Sequence, residues 1–189
     1  MAVVLRLYPR RDLGEIRVVF TDLEIDRDIA FTRLKEAFAL LATTDIRRSR
    51  QVLKYLRTIG IWAGHYSVAI PPKTVQLSTA HVLDSTSLEL ASVLVHEAVH
   101  LRISRHGIPY DKEKRERIER RCTAEQVSFL RREGGEGEGI AESYEDALNR
   151  PWWTDKGHRE DLERLASEHG LPRWVLSLMG GSISDTESS

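Results

Sequence analysis

The chain has 189 residues, of which 41% are hydrophobic and 30% charged, and its formal net charge is −1. Such proportions suit a soluble globular domain with a sizeable core and exclude a disordered or fibrous chain. The balanced charge gives no global field toward nucleic acid or an anionic membrane, so neither is expected as a partner.

The opening stretch, MAVVLRLYPRR, has only a very short apolar run before its arginines, and no segment approaches the roughly 20 apolar residues of a spanning helix. A cytoplasmic protein is expected. Cys122 is the one cysteine, so it forms no intramolecular disulfide and excludes a four-cysteine zinc site. A metal would have to be held by histidine and carboxylate.

In chain order, the β-branched run from Ile16 to Thr21, bounded by Gly14 and Asp22, predicts a strand. Phe31, Leu34, Phe38 and Leu41 then recur at helical spacing, which predicts a helix from Asp28 to about Thr44. A second helix is predicted from Asp45 to Arg57. Ile46, Leu53 and Leu56 would face inward and Arg47, Arg48, Arg50, Lys54 and Arg57 outward. Such a basic face is ordinarily solvated. Beyond Tyr55 it interleaves no aromatic ring on which a base would stack, so a role toward nucleic acid or an acidic partner ranks low.

Gly60 opens a loop region ending at Pro71 and Pro72. The segment from Thr74 to Val82, with Val75 and Leu77 alternating against polar neighbours, predicts a strand and makes His81 a surface residue. That strand would offer an edge along which an extended peptide adds its backbone hydrogen bonds.

The segment from Thr86 to Ile103 carries the chemistry. Thr86 and Glu89 form a capping-box pattern at its start. Leu88, Leu90, Ala91, Val93, Leu94, Val95, Ala98, Val99, Leu101 and Ile103 leave almost no polar face, so this helix belongs in a core. At its centre stands His96-Glu97-Ala98-Val99-His100. Residues four apart lie one turn above each other, so both imidazoles address a single point, as two zinc ligands do. Glu97 follows the first histidine, where a carboxylate serves as general base without being a ligand.

After Gly107 and Pro109 a further helix is predicted from Asp111 to about Glu133, with Ile118, Cys122, Val127 and Phe129 or Leu130 apolar. Catalytic zinc ordinarily has three protein ligands and one open position. Glu119 is the preferred third ligand, because it lies beside the apolar face, next to Ile118 and one turn before Cys122. Glu125 is the alternative, while Glu113 and Glu116 look solvated. The run GGEGEG at 134–139 predicts a loop or hinge. Short helices are predicted at Ile140 to Asn149, His158 to His169 and Pro172 to Met179, before a disordered tail. The expected organisation is α+β: a mostly helical domain over 1–133 with a small sheet beside the metal helix, a glycine-rich loop, a helical extension of that domain over 140–181, and the tail 182–189.

The HEAVH stretch and the downstream Glu119, 19 residues after His100, resemble the HExxH zinc metallopeptidases called zincins, and within them the gluzincin type. The likeness covers residues 74 to about 130. Cys122 matches a small residue of that pattern, whereas Thr123 stands where an aspartate often supports a histidine. The resemblance implies a Zn2+ ion held by His96, His100 and Glu119, and hydrolysis of a peptide or protein substrate. Glu97 would take the proton of a zinc-activated water and pass it to the leaving amine. An oxyanion donor is also implied, with Tyr110, Tyr144, His65, Tyr66, His106 and His158 as candidates. Trp152 and Trp153 would anchor the core or line a cleft. The competing expectation is a zinc-binding regulatory or interaction module that cleaves nothing. Glu97 favours the enzyme, since a structural site needs no carboxylate beside its first ligand.

Overall fold

A computed structural model describes residues 8–64, 66–149 and 154. The contacts divide the chain into two units, Met1–Glu145 and Asp146–Ser189, and the sheet and the HEAVH helix both lie in the first. His65, His158, Trp152, Trp153, the two last predicted helices and the tail lie outside the described residues.

The fold is α+β, mostly helical with one small mixed sheet, as the sequence predicts. Strands β1 (Arg10–Leu13), β2 (Ile16–Phe20), β3 (Thr58–Trp62), β4 (Val68–Ile70) and β5 (Thr74–Ser78) are ordered β1-β2-β3-β5-β4. The three central strands run parallel and both outer ones antiparallel. Register places Val18, Ile59 and Val75 side by side, and likewise Phe20, Ile61 and Leu77. These six are fully buried, because residues two apart on a strand share a face and this face meets the helices.

Helices α1 (Arg27–Thr44) and α2 (Ile46–Tyr55) connect β2 to β3, and α3 (Thr79–Asp84) and α4 (Ser87–Arg105) follow β5. The chain then forms α5 (Arg115–Leu130) and α6 (Glu136–Ala147). The centre is α4, which packs against α1, α2, α5, β4 and β5. Thr86 caps it by accepting from the Glu89 N–H at 3.2 Å. It ends in a Schellman turn, in which Gly107 N–H bonds to Ser104 O and Ile108 N–H to Ile103 O. Gly107 has φ of +74°, a conformation that side chains with a Cβ disfavour, and the turn directs the chain back toward α5. No helix among the described residues is long and apolar enough to cross a membrane.

Several local expectations are corrected. The stripe α1 buries is Ala30, Leu34, Ala37 and Leu41, with Phe31 and Phe38 only half-buried, since alanines let the helix approach its neighbours closely. In α2, Ile46 and Leu53 are exposed, whereas Arg48 is buried. The predicted strand to Val82 stops at Ser78, whose hydroxyl caps α3 by accepting from His81 N–H at 3.1 Å. The end of β3 and all of β4 lie within the predicted loop, and it is β4, not β5, that forms this edge of the sheet, β1 forming the other. The 134–139 run is not all loop. Gly134 and Gly135, at φ of +62° and +43°, make the turn, but α6 starts at Glu136. Gly137 is buried so close to the Leu130 carbonyl that a Cβ would collide with it, so this glycine serves packing.

Arg48 is buried because carboxylates surround it. Asp45, the α2 N-cap, accepts from the Arg48 backbone N–H at 3.0 Å and pairs with its guanidinium. Glu125 on α5 pairs with Arg48 at 2.9 Å, and Arg132 pairs with Asp45 at 3.1 Å. Burial opposes ionisation of Asp45, but Arg48 and Arg132 outweigh it and hold its pKa below the ordinary 3.8. A carboxyl with a lowered folded-state pKa contributes stability that is complete above the unfolded value and is lost as pH falls. D45N is expected to lower unfolding stability at neutral pH by about 3 kcal/mol. In urea titrations the wild-type advantage should shrink as pH drops below 3.8. G137A should cost about 1–3 kcal/mol by the same measurement, through the clash with Leu130.

Candidate metal centre

The polar positions of α4 form a stripe: Glu89, Ser92, His96 and His100 follow one another at three- or four-residue steps, which keeps them on one face. That face meets α5, whose buried polar residues are Glu119, Thr123 and Gln126. Two helices that are otherwise apolar where they touch thus place polar groups opposite one another.

His96 Nε2 and His100 Nε2 lie 3.1 Å apart. Glu119 Oε2 is 3.4 Å from the first and 3.5 Å from the second. Three ligands at zinc bond lengths around a tetrahedral ion stand about 3.3–3.4 Å from each other. The observed triangle fits that arrangement. Glu119 Oε2 is buried without a hydrogen-bond partner, and it faces two imidazole nitrogens that neutralise it only when protonated. Burial pushes the Glu119 carboxyl up, but the two imidazoles, when they carry protons, outweigh it and hold its pKa far below the ordinary carboxylate range. A buried carboxylate oxygen beside two ring nitrogens calls for a shared cation, and a divalent metal satisfies all three.

A hydrogen-bond chain fixes the tautomer of His96. Ser92 donates its hydroxyl to Glu89 O at 2.7 Å, so its oxygen accepts from Gln126 Nε2 at 3.0 Å. Gln126 Oε1 is then turned toward His96 Nδ1, 3.0 Å away, and as an acceptor it takes a hydrogen bond from the Nδ1–H. His96 Nε2 is left with its lone pair directed at Glu119 and His100, as a metal ligand requires. Tyr110 plays the corresponding part for the carboxylate, its hydroxyl donating to Glu119 Oε1 while its ring stands edge-on to His100 at 5.6 Å between centroids. The ring also lies beneath Arg115.

Glu97 points elsewhere on α4, toward the sheet. It is buried, and the nearby backbone N–H of Ala69 on β4 favours its charged form. Burial pushes its carboxyl up to about 7, with His96 opposing and Glu119 adding to the rise. A cation beside it would draw that value back down.

The structure therefore brings His96, His100 and Glu119 together, with Glu97 adjacent. Glu125 is excluded as the third ligand, because its carboxylate is engaged by Arg48, Arg47, Arg121 and Arg102 at 2.9, 3.6, 3.2 and 4.0 Å. Of the oxyanion candidates, Tyr110 holds Glu119. Tyr144 is partly buried against the main core, and burial, with Glu89 nearby, pushes its hydroxyl up to about 12. His106 is the exposed C-cap of α4, and Tyr66 offers its carbonyl to Trp62 Nε1 at 3.1 Å. His81 is bonded through Nδ1 to Ser67 Oγ at 2.7 Å, and burial lowers its pKa. Sequence reasoning missed Gln126 and Ser92. The available signal was their polarity on helix faces otherwise apolar.

No family model, curated protein or solved structure matches this chain. The chemistry of the cluster rests on its own geometry.

Removing the outer supports tests that geometry. Q126L and Y110F are each expected to weaken zinc binding roughly 10–100-fold in competition with a chelating dye, with the circular dichroism unchanged.

Proposed function

We propose that the protein is a cytoplasmic zinc-dependent peptidase of the HExxH type, with His96, His100 and Glu119 as ligands and Glu97 as general base. One observation carries this reading: Glu119 Oε2, buried and without a hydrogen-bond partner, stands at ligand spacing from both imidazoles of the motif. Zinc bound there would act as a Lewis acid on a peptide carbonyl and make water acidic enough to react near neutral pH.

The remaining tasks fall to the chain. Gln126 and Tyr110 orient His96 and Glu119, so the ligands need little rearrangement to receive the ion. Glu97 lies buried on α4, against which β4 packs, and its carboxylate, next in sequence to the first histidine, would accept a proton from water and return it. Along β4, a peptide in extended form would add to the sheet edge and bring its backbone to Glu97. Tyr66 and Val68, exposed beside that edge, would meet the substrate's side chains.

A zinc module that cleaves nothing would leave Glu97 without a task. This separates the two readings. Purified wild type is expected to contain one zinc per chain by elemental mass spectrometry, and H96A and E119A to lose it. E97Q should keep its zinc and hydrolyse a quenched fluorogenic peptide mixture roughly 10²–10⁴-fold more slowly than wild type. Zinc-loaded wild type that cleaves none of these peptides would favour the regulatory module, and wild type that takes up no zinc would overturn both.

A further inference from the structure

The ligand cluster has a neighbour that the His-His-Glu set does not use. Cys122 Sγ and one ring nitrogen from each of His96 and His100 all lie within 4.8 Å of one another. Cys122 is fully buried one helical turn beyond Glu119, so the two side chains share the face of α5 turned to α4. It packs with Val99 and Ile118, and the partly buried Ile103 lies against that cluster. A second, independent feature marks the same point as a ligand position: the buried Glu119 Oε2, without a hydrogen-bond partner, 3.4 and 3.5 Å from the two imidazoles.

The geometry points to Cys122 as a fourth protein donor, whose thiolate closes the metal site in the resting protein so that substrate must displace it. This rests on the zinc reading above and adds a regulatory state to the same site. Tetrahedral zinc with nitrogen and sulfur ligands places them about 3.6 Å apart, and a change of cysteine rotamer spans the remaining gap. On closing, the S–H bond breaks, its proton passes to solvent, and a sulfur lone pair forms the bond to the metal, with no change of oxidation state. Opening reverses each of these. A soft thiolate also selects zinc or cobalt over magnesium or calcium, which prefer oxygen.

The test uses cobalt in place of zinc, because a thiolate bound to Co2+ gives an intense near-ultraviolet charge-transfer absorption that nitrogen and oxygen ligands do not. The full chain, C122S and C122A are loaded with Co2+, bound metal is counted by elemental mass spectrometry, and absorption spectra are recorded. The expected result is one cobalt per wild-type chain with the charge-transfer band, the band absent from both variants, and cobalt affinity reduced roughly 10–100-fold in each. Two variants of different polarity, agreeing with each other, separate loss of a ligand from loss of the fold. Cobalt bound to wild type without the band, or a band that persists in C122A, overturns this inference and leaves the proposed peptidase standing. No uptake of cobalt or zinc by wild type overturns both.

Discussion

The constraint on which the fold depends is the enclosure of α4. With apolar side chains on nearly every side, this helix has no stable place at a surface, so the sheet, α1, α2 and α5 must surround it. Enclosure makes the few polar groups it carries costly unless they are paired. Glu89, Ser92, His96 and His100 occupy one stripe, and the helix that covers this stripe, α5, supplies the matching polar side chains. Glu97 lies off the stripe, with the Ala69 backbone N–H of the sheet nearby. One helix thereby turns two imidazoles toward α5 and carries a carboxylate near an edge strand.

Most of the polar contacts between these helices resolve into donor and acceptor pairs. Gln126 is satisfied at both ends of its amide, by Ser92 and His96, and Tyr110 satisfies one oxygen of Glu119. What remains unpaired is the other oxygen, directed at two ring nitrogens. Buried polar atoms are ordinarily paired, so a carboxylate oxygen without a hydrogen-bond partner, facing two ring nitrogens, is the feature of this interface that calls for an explanation. The Cys122 thiol lies within 4.8 Å of a ring nitrogen of each histidine, so a soft donor stands beside the same cluster.

A second buried charge cluster separates structural from chemical carboxylates. Arg48 joins the Asp45 cap of α2 to Glu125 of α5, with Arg132 completing the charge balance. Glu119 and Glu125 lie on the same helix and are both nearly buried, yet one is engaged by arginines and the other by imidazoles. Guanidinium neutralises its carboxylate at any physiological pH, whereas imidazole does so only when protonated. That difference leaves Glu119 available to a metal.

The sequence by itself determined the features whose geometry is local. Two histidines four apart on a capped apolar helix converge whatever surrounds them, and Glu119 beside Ile118 already lay on the buried side of its helix. The α+β class followed from a β-branched run and several helical periods. Only the tertiary structure decided what depended on distant neighbours. Arg48 turns inward because Glu125, 77 residues away, neutralises it, which no period in α2 reveals. The three-residue β4 exists because β5 pairs with it, and its own sequence is too short to declare a strand. Gly137 reads as a flexible hinge residue, yet it is held against Leu130 because α6 folds back on α5. Local spacing sets directions along one element, but burial and charge pairing arise between elements, and there the chain alone could not choose between Glu119 and Glu125.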